Sequence, residues 1–535
     1  MVPLHVHSNY SLLTGAASID GLIAYAKREG LKALALTDTN GMYGLIRFAK
    51  KCGQAGIKPI LGAQIDEPGH PNITAVFLAK NNEGYSELCR LITSRKLNDG
   101  FSLAEVINKS SQNLFILVSS LELLSRVQPC GNIYVELYSA SAGKKQTRRL
   151  YEFAVKNKMK FVATNPIYFL EPEDFLIHQI LTSIRLKIKL ENLREADLVS
   201  KECYWKKMSE LTLQWKNLPD AVSASDYIAD NCNVDLHFGE YKYPKFPFPG
   251  GQDAKSFLWS EAYKGLKENF IPLTQNALDR LRYELSEIRE LNLTDYFLIV
   301  WDIVKEARRR GMMVIGRGSA ANSIVAYCLG LTQVDPIKNN LYFERFLNKG
   351  RSNPPDVDID FSWKERDEIT KYVFKKYGYE NVAMISTTVT FRARSAFREV
   401  SKAYGFTNEE ISMYSKYMPW SNTASLPDRP EIYSESKSFN FKKEPWKSIV
   451  ETASRIANFP RHLSIHPSGI IITPERVTNY AALEYASNKG LGLIITQPDM
   501  YSIEDIGLIK IDLLSQRSLG VLRDTINRIR INYNN

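Results

Sequence analysis

Along residues 1–170, short apolar runs of strand character alternate with stretches whose apolar residues recur at helical spacing. Ile23-Ala-Tyr-Ala-Lys-Arg-Glu gives way to Ala33-Leu-Ala-Leu-Thr, then to Gly44-Leu-Ile-Arg-Phe-Ala-Lys-Lys, then to Lys58-Pro-Ile-Leu-Gly. This rhythm predicts βα units feeding a parallel sheet or barrel. Tyr241-Lys-Tyr-Pro-Lys-Phe-Pro-Phe-Pro-Gly-Gly-Gln carries three prolines and two glycines, which disfavour regular structure, and a domain linker is placed there. Beyond it, Ala277 to Arg310 has the periodicity of helices broken near Asn292–Asp295. Next come Val314-Ile-Gly-Arg-Gly-Ser, a helical Ser323–Leu329, an extended Asp356–Phe361 and a polar, mainly helical region at 391–455. Strand character returns at Ser468-Gly-Ile-Ile-Ile-Thr and Gly507-Leu-Ile-Lys-Ile-Asp-Leu-Leu. A chain of 535 residues is too long for one core, and roughly 100–200 residues per domain implies three or four.

Composition adds little until charge is considered. The formal charge of +10 favours a polyanionic partner such as nucleic acid, although the field depends on where the charges cluster. The six cysteines are scattered, with no Cys-x-x-Cys pair, and read as reduced thiols rather than zinc ligands. The Met-Val-Pro-Leu-His start lacks a signal pattern, and no apolar run reaches the ~18 residues of a membrane span. A cytoplasmic protein without membrane partners is expected.

The candidate chemistry lies in Pro355-Asp356-Val357-Asp358-Ile359-Asp360-Phe361. Side chains of a strand alternate faces, so the three acids share one side while Val357, Ile359 and Phe361 can enter a core on the other. Adjacent like charges repel unless a cation lies between them, and hard carboxylate oxygens suit Mg²⁺. In Leu508-Ile509-Lys510-Ile511-Asp512-Leu513-Leu514, Lys510 and Asp512 fall on one face of an otherwise apolar strand, where a lone acid is costly without a partner. Packed beside the first strand, it would complete a two-metal cage for a 3′-hydroxyl and a leaving pyrophosphate, with Lys510 available to neutralise phosphate. A solvated acidic strand edge is the competing reading. Upstream, Gly316-Arg317-Gly318-Ser319-Ala-Ala-Asn322 opens the predicted helix at Ser323. Its backbone N–H groups, the Ser319 hydroxyl and the Arg317 charge would suit a phosphate.

Tyr296-Phe-Leu-Ile-Val-Trp-Asp, Gly316-Arg-Gly-Ser, Phe343-Glu-Arg-Phe-Leu-Asn and Pro355-Asp-Val-Asp-Ile-Asp-Phe, in this order, resemble the alpha subunit of bacterial DNA polymerase III, the C-family DNA polymerases. The likeness runs from residue 4 to residue 530. It implies an α/β multidomain chain: a degenerate PHP-type distorted (β/α)7 barrel at 1–240, a linker and connecting helix at 241–275, and a polymerase-beta-like nucleotidyltransferase palm at 276–390 and 456–530, interrupted by a helical thumb at 391–455. By match of motif, Asp356, Asp358 and Asp512 fall on the catalytic, Mg²⁺-binding aspartates, with Asp360 a supporting acid. Gly318 and Ser319, with Arg317, Lys510 and Arg345, fall on the nucleotide-phosphate contacts. Arg392, Arg394 and Arg398 would reach template or primer phosphates, with a solvated helix face as the equal alternative. Within the family, Asn322 replaces a frequent glycine. Phe391-Arg-Ala-Arg-Ser-Ala-Phe-Arg, Phe459-Pro-Arg-His-Leu-Ser-Ile-His and Leu514-Ser-Gln-Arg look more like the error-prone branch. The pair His462 and His466 has no third ligand, and Pro467 and Gly469 argue against a helix that would align it.

Leu4-His5-Val6-His7-Ser8 and Leu36-Thr37-Asp38 resemble the metal-binding starts of a PHP domain, but most of that family's ligands are missing. Thr39 stands for a histidine, Gln64 for a glutamate, and Pro166 and Tyr168 for an acid and a histidine. A full trinuclear site is therefore not expected, and His5, His7 and Asp38 remain as a hydrogen-bonded remnant or the holder of a single ion. The resemblance implies a DNA-directed DNA polymerase acting on primed template DNA and dNTPs, in replication or repair synthesis. Two alternatives compete with it: a PHP-type phosphoesterase or 3′→5′ exonuclease, and a catalytically incomplete DNA-binding scaffold. Family members continue into fingers, helix-hairpin-helix, clamp-binding and OB-fold segments. The sequence stops at Asn535, so weak activity alone is expected, with a C-terminal polymerase half or other replisome or repair subunits as partners.

Overall fold

A computed structural model describes residues 1–138, 144–248, 253–348, 350, 357–416, 443–486 and 493–533. Asp356 therefore lies outside the described residues, as does 417–442 of the polar region. Two sheets organise the chain. The first has the order β1 (Ala33–Leu36), β2 (Lys58–Glu67), β3 (His70–Ala79), β4 (Leu114–Val118), β5 (Ile133–Tyr138) and β6 (Lys160–Thr164).

The purely parallel βα rhythm is not what forms. β3 runs antiparallel to both β2 and β4, because the two-residue turn Pro68-Gly69 returns the chain as a hairpin before any helix intervenes. The other neighbouring pairs are parallel. The sheet curls, and the N-terminal segment bridges its two ends. On one side Thr37 N donates to Val6 O and Ala35 N to Pro3 O; on the other His7 N donates to Ile167 O and Ile167 N to His5 O. Residues 5–7 are thus held from both sides, which fixes the direction of the two histidines.

The second sheet has the order β11 (Leu483–Tyr485), β12 (Ile494–Asp499), β9 (Val382–Thr390), β10 (Pro460–Ile472), β13 (Lys510–Gln516), β8 (Asp358–Ser362), β7 (Val314–Arg317). Its strands are drawn from both sides of the helical region. Helices Gln275–Glu290 and Thr294–Arg309 pack beside it; Asn292, at φ 57, supplies the break expected between them. Tyr296 to Val300 is wholly buried, as the apolar run requires.

The Pro-rich segment is less a free linker than a strap. Phe246 is buried and its N–H donates to Asp295, and Lys242 bridges Leu508 and donates its ammonium to Ile506 O. The aromatic residues between the prolines have apolar surface to bury, and regular structure is not needed to bury it.

Helices Ala393–Ala403 and Trp446–Arg455 share a core with helix Phe175–Leu186 of the first unit: Phe397, Val400 and Ile449 lie against Ile177, Ile180 and Leu181. No helix among the described residues is long and apolar enough to cross a membrane. Phe397 is fully buried in this joint. Phe397→Ala should lower the unfolding free energy by on the order of 3–5 kcal/mol, measured by urea denaturation, because a core closes only partly around the cavity left by a removed ring.

Candidate active site

One row of residues crosses four strands of the second sheet. β7 and β8 pair antiparallel with Arg317 opposite Asp358, β8 and β13 parallel with Asp358 opposite Asp512, and β13 and β10 antiparallel with Asp512 opposite Gly469. Ile359, Phe361, Ile511 and Leu513 are buried, so the alternation turns Asp358, Asp360, Asp512 and Lys510 to the other face. Like charges directly opposite destabilise a strand pair, and cations stand beside these. Lys510 Nζ lies 2.6 Å from Asp512 Oδ2, and Arg317 Nε lies 3.8 Å from Asp358 Oδ2 and 3.4 Å from Asp360 Oδ1. Burial pushes the Asp358 carboxyl above its ordinary range and the Asp512 charge adds to this, while Arg317 and Lys510 pull the other way.

The turn after β7 brings Gly318 to the same end of the sheet. Gly318 has φ +76, and a Cβ there would come 3.6 Å from Asp358 Oδ2; at Gly316 a Cβ would fall 1.7 Å from Leu331 O. The turn does not lead straight into the next helix as expected. Gly318–Asn322 forms a 3₁₀ turn of its own, and Ser323 then caps a short helix, Ile324–Cys328, by accepting from Ala326 N. Ser323 has the extended backbone usual for an N-cap, and its hydroxyl also donates 2.7 Å to Glu284 Oε2.

Glu284 has no exposed side-chain surface and pairs with Arg280 at 2.7 Å. Arg280 also donates to Asn322 O and Leu341 O, the second leading into the 3₁₀ turn Phe343–Arg345. This buried pair ties the phosphate-type turn to the segment carrying Arg345, which is itself exposed. Neither partner was foreseen. The signal was the acid Glu284 in the buried register of an amphipathic helix.

Asp512 has a second support that sequence reasoning missed. Between Ile465 and Ile470, β10 slips register against β9. In this bulge His466 Nδ1 accepts from Gly469 N at 2.7 Å, and Ser468 Oγ donates 2.7 Å to Asp512 Oδ1. Buried Arg366 clamps the far side, donating to Leu513 O and Pro467 O. His466 is thus a bulge-forming residue, while His462 is exposed on the same strand. Pro467 and Gly469, the argument against a helix there, also mark the bulge.

The three arginines after β9 divide. Arg394 donates to Lys416 O, and Arg398 to Ser412 and Ser415, all at the C-terminal end of helix Asn408–Ser415, where a cation is favoured. Those two serve the fold directly; Arg392 is exposed.

In the first sheet, His5, His7 and Asp38 are buried and joined by residues the sequence reading left out. Glu136 Oε1 lies 2.7 Å from His5 Nδ1, His5 Nε2 3.0 Å from His7 Nε2, and His7 Nδ1 2.9 Å from Ser11 Oγ. Ser11 Oγ then donates 2.7 Å to Asp38, which also accepts from Ser8 N and Ser8 Oγ. Glu136 is a lone acid in the apolar run Ile-Tyr-Val-Glu-Leu-Tyr, the same signal that marked Asp512. Thr39 and Tyr168 both donate to Gln64 Oε1, and Tyr168 stacks on His7 with centroids 3.9 Å apart.

Neutral Thr39, Gln64 and Tyr168 thus stand beside the His7 imidazole. Burial, and then His5, hold the His7 imidazole well below its ordinary range. Burial tends to raise Glu136, but His5 and the Thr164 and Ser119 hydroxyls outweigh it and leave it lowered. Among the described residues no group of three or more His, Cys, Asp or Glu is arranged to hold a metal ion. At the carboxylate row, Asp358 and Asp512 are hard oxygen donors on adjacent strands with cations beside them, and they fit a divalent ion.

Residues 3–164 match the PHP domain, and residues 256–515 match the bacterial DNA polymerase III alpha NTPase domain. The two units described above are therefore a PHP domain and a polymerase III alpha domain on one chain. Nearly the whole chain is thus similar to bacterial DNA polymerase III alpha subunits. It is 33% identical over 570 residues to the error-prone DNA polymerase of Symbiobacterium thermophilum, covering 99% of this chain and 52% of the relative. It is 32% identical over 555 residues to DNA polymerase III subunit alpha of Bacillus subtilis, covering 99% and 49%. The chain spans about half the length of these relatives.

The N-terminal network has a pH signature. Burial raises Asp38 to about 6, above the ~3.9 of an unfolded aspartate. The folded state therefore holds the proton more tightly, and Asp38 makes stability fall as pH rises between those values, with no further change above them. Asp38→Asn keeps an acceptor for Ser8 N and should flatten that part of the profile, read as urea midpoints from pH 4 to pH 7. An unchanged slope would show that Asp38 is not the titrating group.

Proposed function

We propose that this chain carries the nucleotidyl-transfer centre of a DNA-directed DNA polymerase, extending a primer 3′-hydroxyl with dNTPs on template DNA. The observation that carries it is the parallel pairing that sets Asp358 beside Asp512, with Arg317 and the Gly318–Asn322 turn at the same end of the sheet. In this reading the second sheet is a palm of the polymerase-beta type, formed by 276–390 and 456–530, and 391–455 is a thumb; residues 1–240 are a PHP barrel of structural role.

Asp356, Asp358 and Asp512 would hold two Mg²⁺ ions. When bound, these ions supply Lewis acidity to the 3′-hydroxyl and offset charge on the leaving pyrophosphate. Ser468 orients Asp512, leaving the carboxylate one direction in which to present its second oxygen. Lys510, beside that oxygen, and Arg317, 47% exposed, present positive charge to the triphosphate. Gly318 and Ser319 offer a close backbone approach and a hydroxyl to the same group, and Arg345 a further cation. Arg392 meets the DNA backbone, with Arg394 and Arg398 fixing the helices behind it. Replication or repair synthesis, with further polymerase segments or replisome subunits as partners, is the setting. The filled N-terminal network favours no nuclease there.

The test is single-nucleotide incorporation on a primed template, paired with Mn²⁺ titration followed by electron paramagnetic resonance. Asp358→Asn should lower incorporation at least roughly a hundredfold and abolish the tight Mn²⁺ signal, since metal contacts contribute several kcal/mol. Retention of primed DNA should stay within about twofold, because backbone contacts position DNA independently of the metal. Wild-type Mn²⁺ affinity in Asp358→Asn would refute the assignment.

Ser468→Ala should weaken Mn²⁺ binding and incorporation by about tenfold, the usual effect of losing a group that orients a metal ligand. Incorporation in Ser468→Ala equal to wild type would place Asp512 outside the centre.

A further inference from the structure

A cleft of about 520 Å³ lies away from the carboxylate row, where the first unit meets the helical region. Its walls carry Arg185, Lys187, Lys189, Lys402 and Arg461, with Glu399 the one carboxylate among the lining residues. Arg185 lies in the last turn of helix Phe175–Leu186, Lys187 caps that helix and Lys189 follows it, Lys402 lies in the last turn of helix Ala393–Ala403, and Arg461 comes from β10. Three elements thus bring positive charge to one hollow. The floor is rigid, because Ile180 and Leu181 pack into the core that holds Phe397 and Val400.

The charge is only partly neutralised within the chain. Arg461 Nη2 is 3.0 Å and Lys402 Nζ 3.3 Å from Glu399, so two cations share one acid, while Lys189 has Glu191 at 3.5 Å. Among the described residues Arg185 and Lys187 form no ion pair. Cations at helix C-termini are favoured by the dipole, but each helix end supplies roughly half an elementary charge. Two such ends together with Glu399, Glu191 and Asp197, whose charge reaches Arg185 but which is itself paired with Arg194, leave an excess of positive charge in a concave place, where field lines focus. Burial lowers the Arg185 guanidinium from its ordinary range, and burial together with Arg461 lowers His462.

We propose that this cleft binds a run of linked phosphate groups, clamped between the first unit and the helical region. Several cations on different walls demand several anionic charges in one ligand. Guanidinium forks and ammonium points are the donors that match phosphate oxygens. The cleft contains neither Asp358 nor Asp512, so the assignment does not rest on the polymerase reading. The phosphates come either from a free oligophosphate or from a DNA backbone, and binding from both walls steadies the joint between the units.

The experiment uses the full chain and the pair Lys187→Glu with Lys402→Glu, both exposed, with Lys187→Ala and Lys402→Ala as the milder pair. Far-ultraviolet circular dichroism and urea midpoints confirm folding. Tripolyphosphate is titrated calorimetrically at low salt, and primed duplex is titrated across a salt series.

For a free oligophosphate, the charge-reversed pair binds tripolyphosphate at least tenfold more weakly and the DNA salt slope is unchanged. For a DNA backbone, the slope of log affinity against log salt falls by about 2, near 0.9 for each phosphate that is no longer neutralised. If both pairs match wild type in tripolyphosphate affinity and in salt slope, the cleft is not a phosphate site, whatever the incorporation assay shows.

Discussion

Two carboxylates on neighbouring parallel strands, Asp358 and Asp512, repel each other, and much of the surrounding structure holds them together nonetheless. The buried faces of β8 and β13 keep the strands in register through Ile359, Phe361, Ile511 and Leu513. Lys510 and Arg317 offset charge, Ser468 fixes one Asp512 oxygen, and Arg366 locks the bulge from which Ser468 projects. In the proposed reading, the repulsion that destabilises this strand pair is also what would favour a divalent cation between the two carboxylates, so stability and chemistry would draw on the same charges.

The first unit reaches the same end by the opposite means. Its imidazoles and carboxylates are linked in a chain from Glu136 through His5, His7 and Ser11 to Asp38, and Gln64, Thr39 and Tyr168 surround them with neutral partners. A satisfied network of this kind is rigid, because an unpaired buried polar group costs more than a paired one returns. That rigidity is passed on. Tyr43 donates to Glu484 and Met42 N to Gln497, while helix Phe175–Leu186 shares a core with the helices beyond β9. These contacts join the PHP domain to the second sheet and to the helices beyond β9.

Local pattern was enough to recover several features. Alternation in Asp358–Phe361 and Leu508–Leu514 put the acids on one face and the aliphatic residues on the other, the helix break at Asn292 followed from its surroundings, and the ordered motifs pointed to the family. All of these depend on residues a few positions apart, whose relative direction is set by strand or helix period alone.

Tertiary structure decided which distant residues meet. No local period says that β13 pairs with β8 rather than another strand, that a slip in β10 aims Ser468 at Asp512, or that Glu284 holds the turn after β7. Nor does it say that Arg394 and Arg398 are spent on a helix end while Arg392 stays exposed. The hairpin at Pro68-Gly69 likewise replaced an expected parallel crossover, because a two-residue turn closes before a helix can form. Sequence determined the chemistry each segment offers; register, bulges and long-range packing, set by burial over hundreds of residues, determined where that chemistry converges.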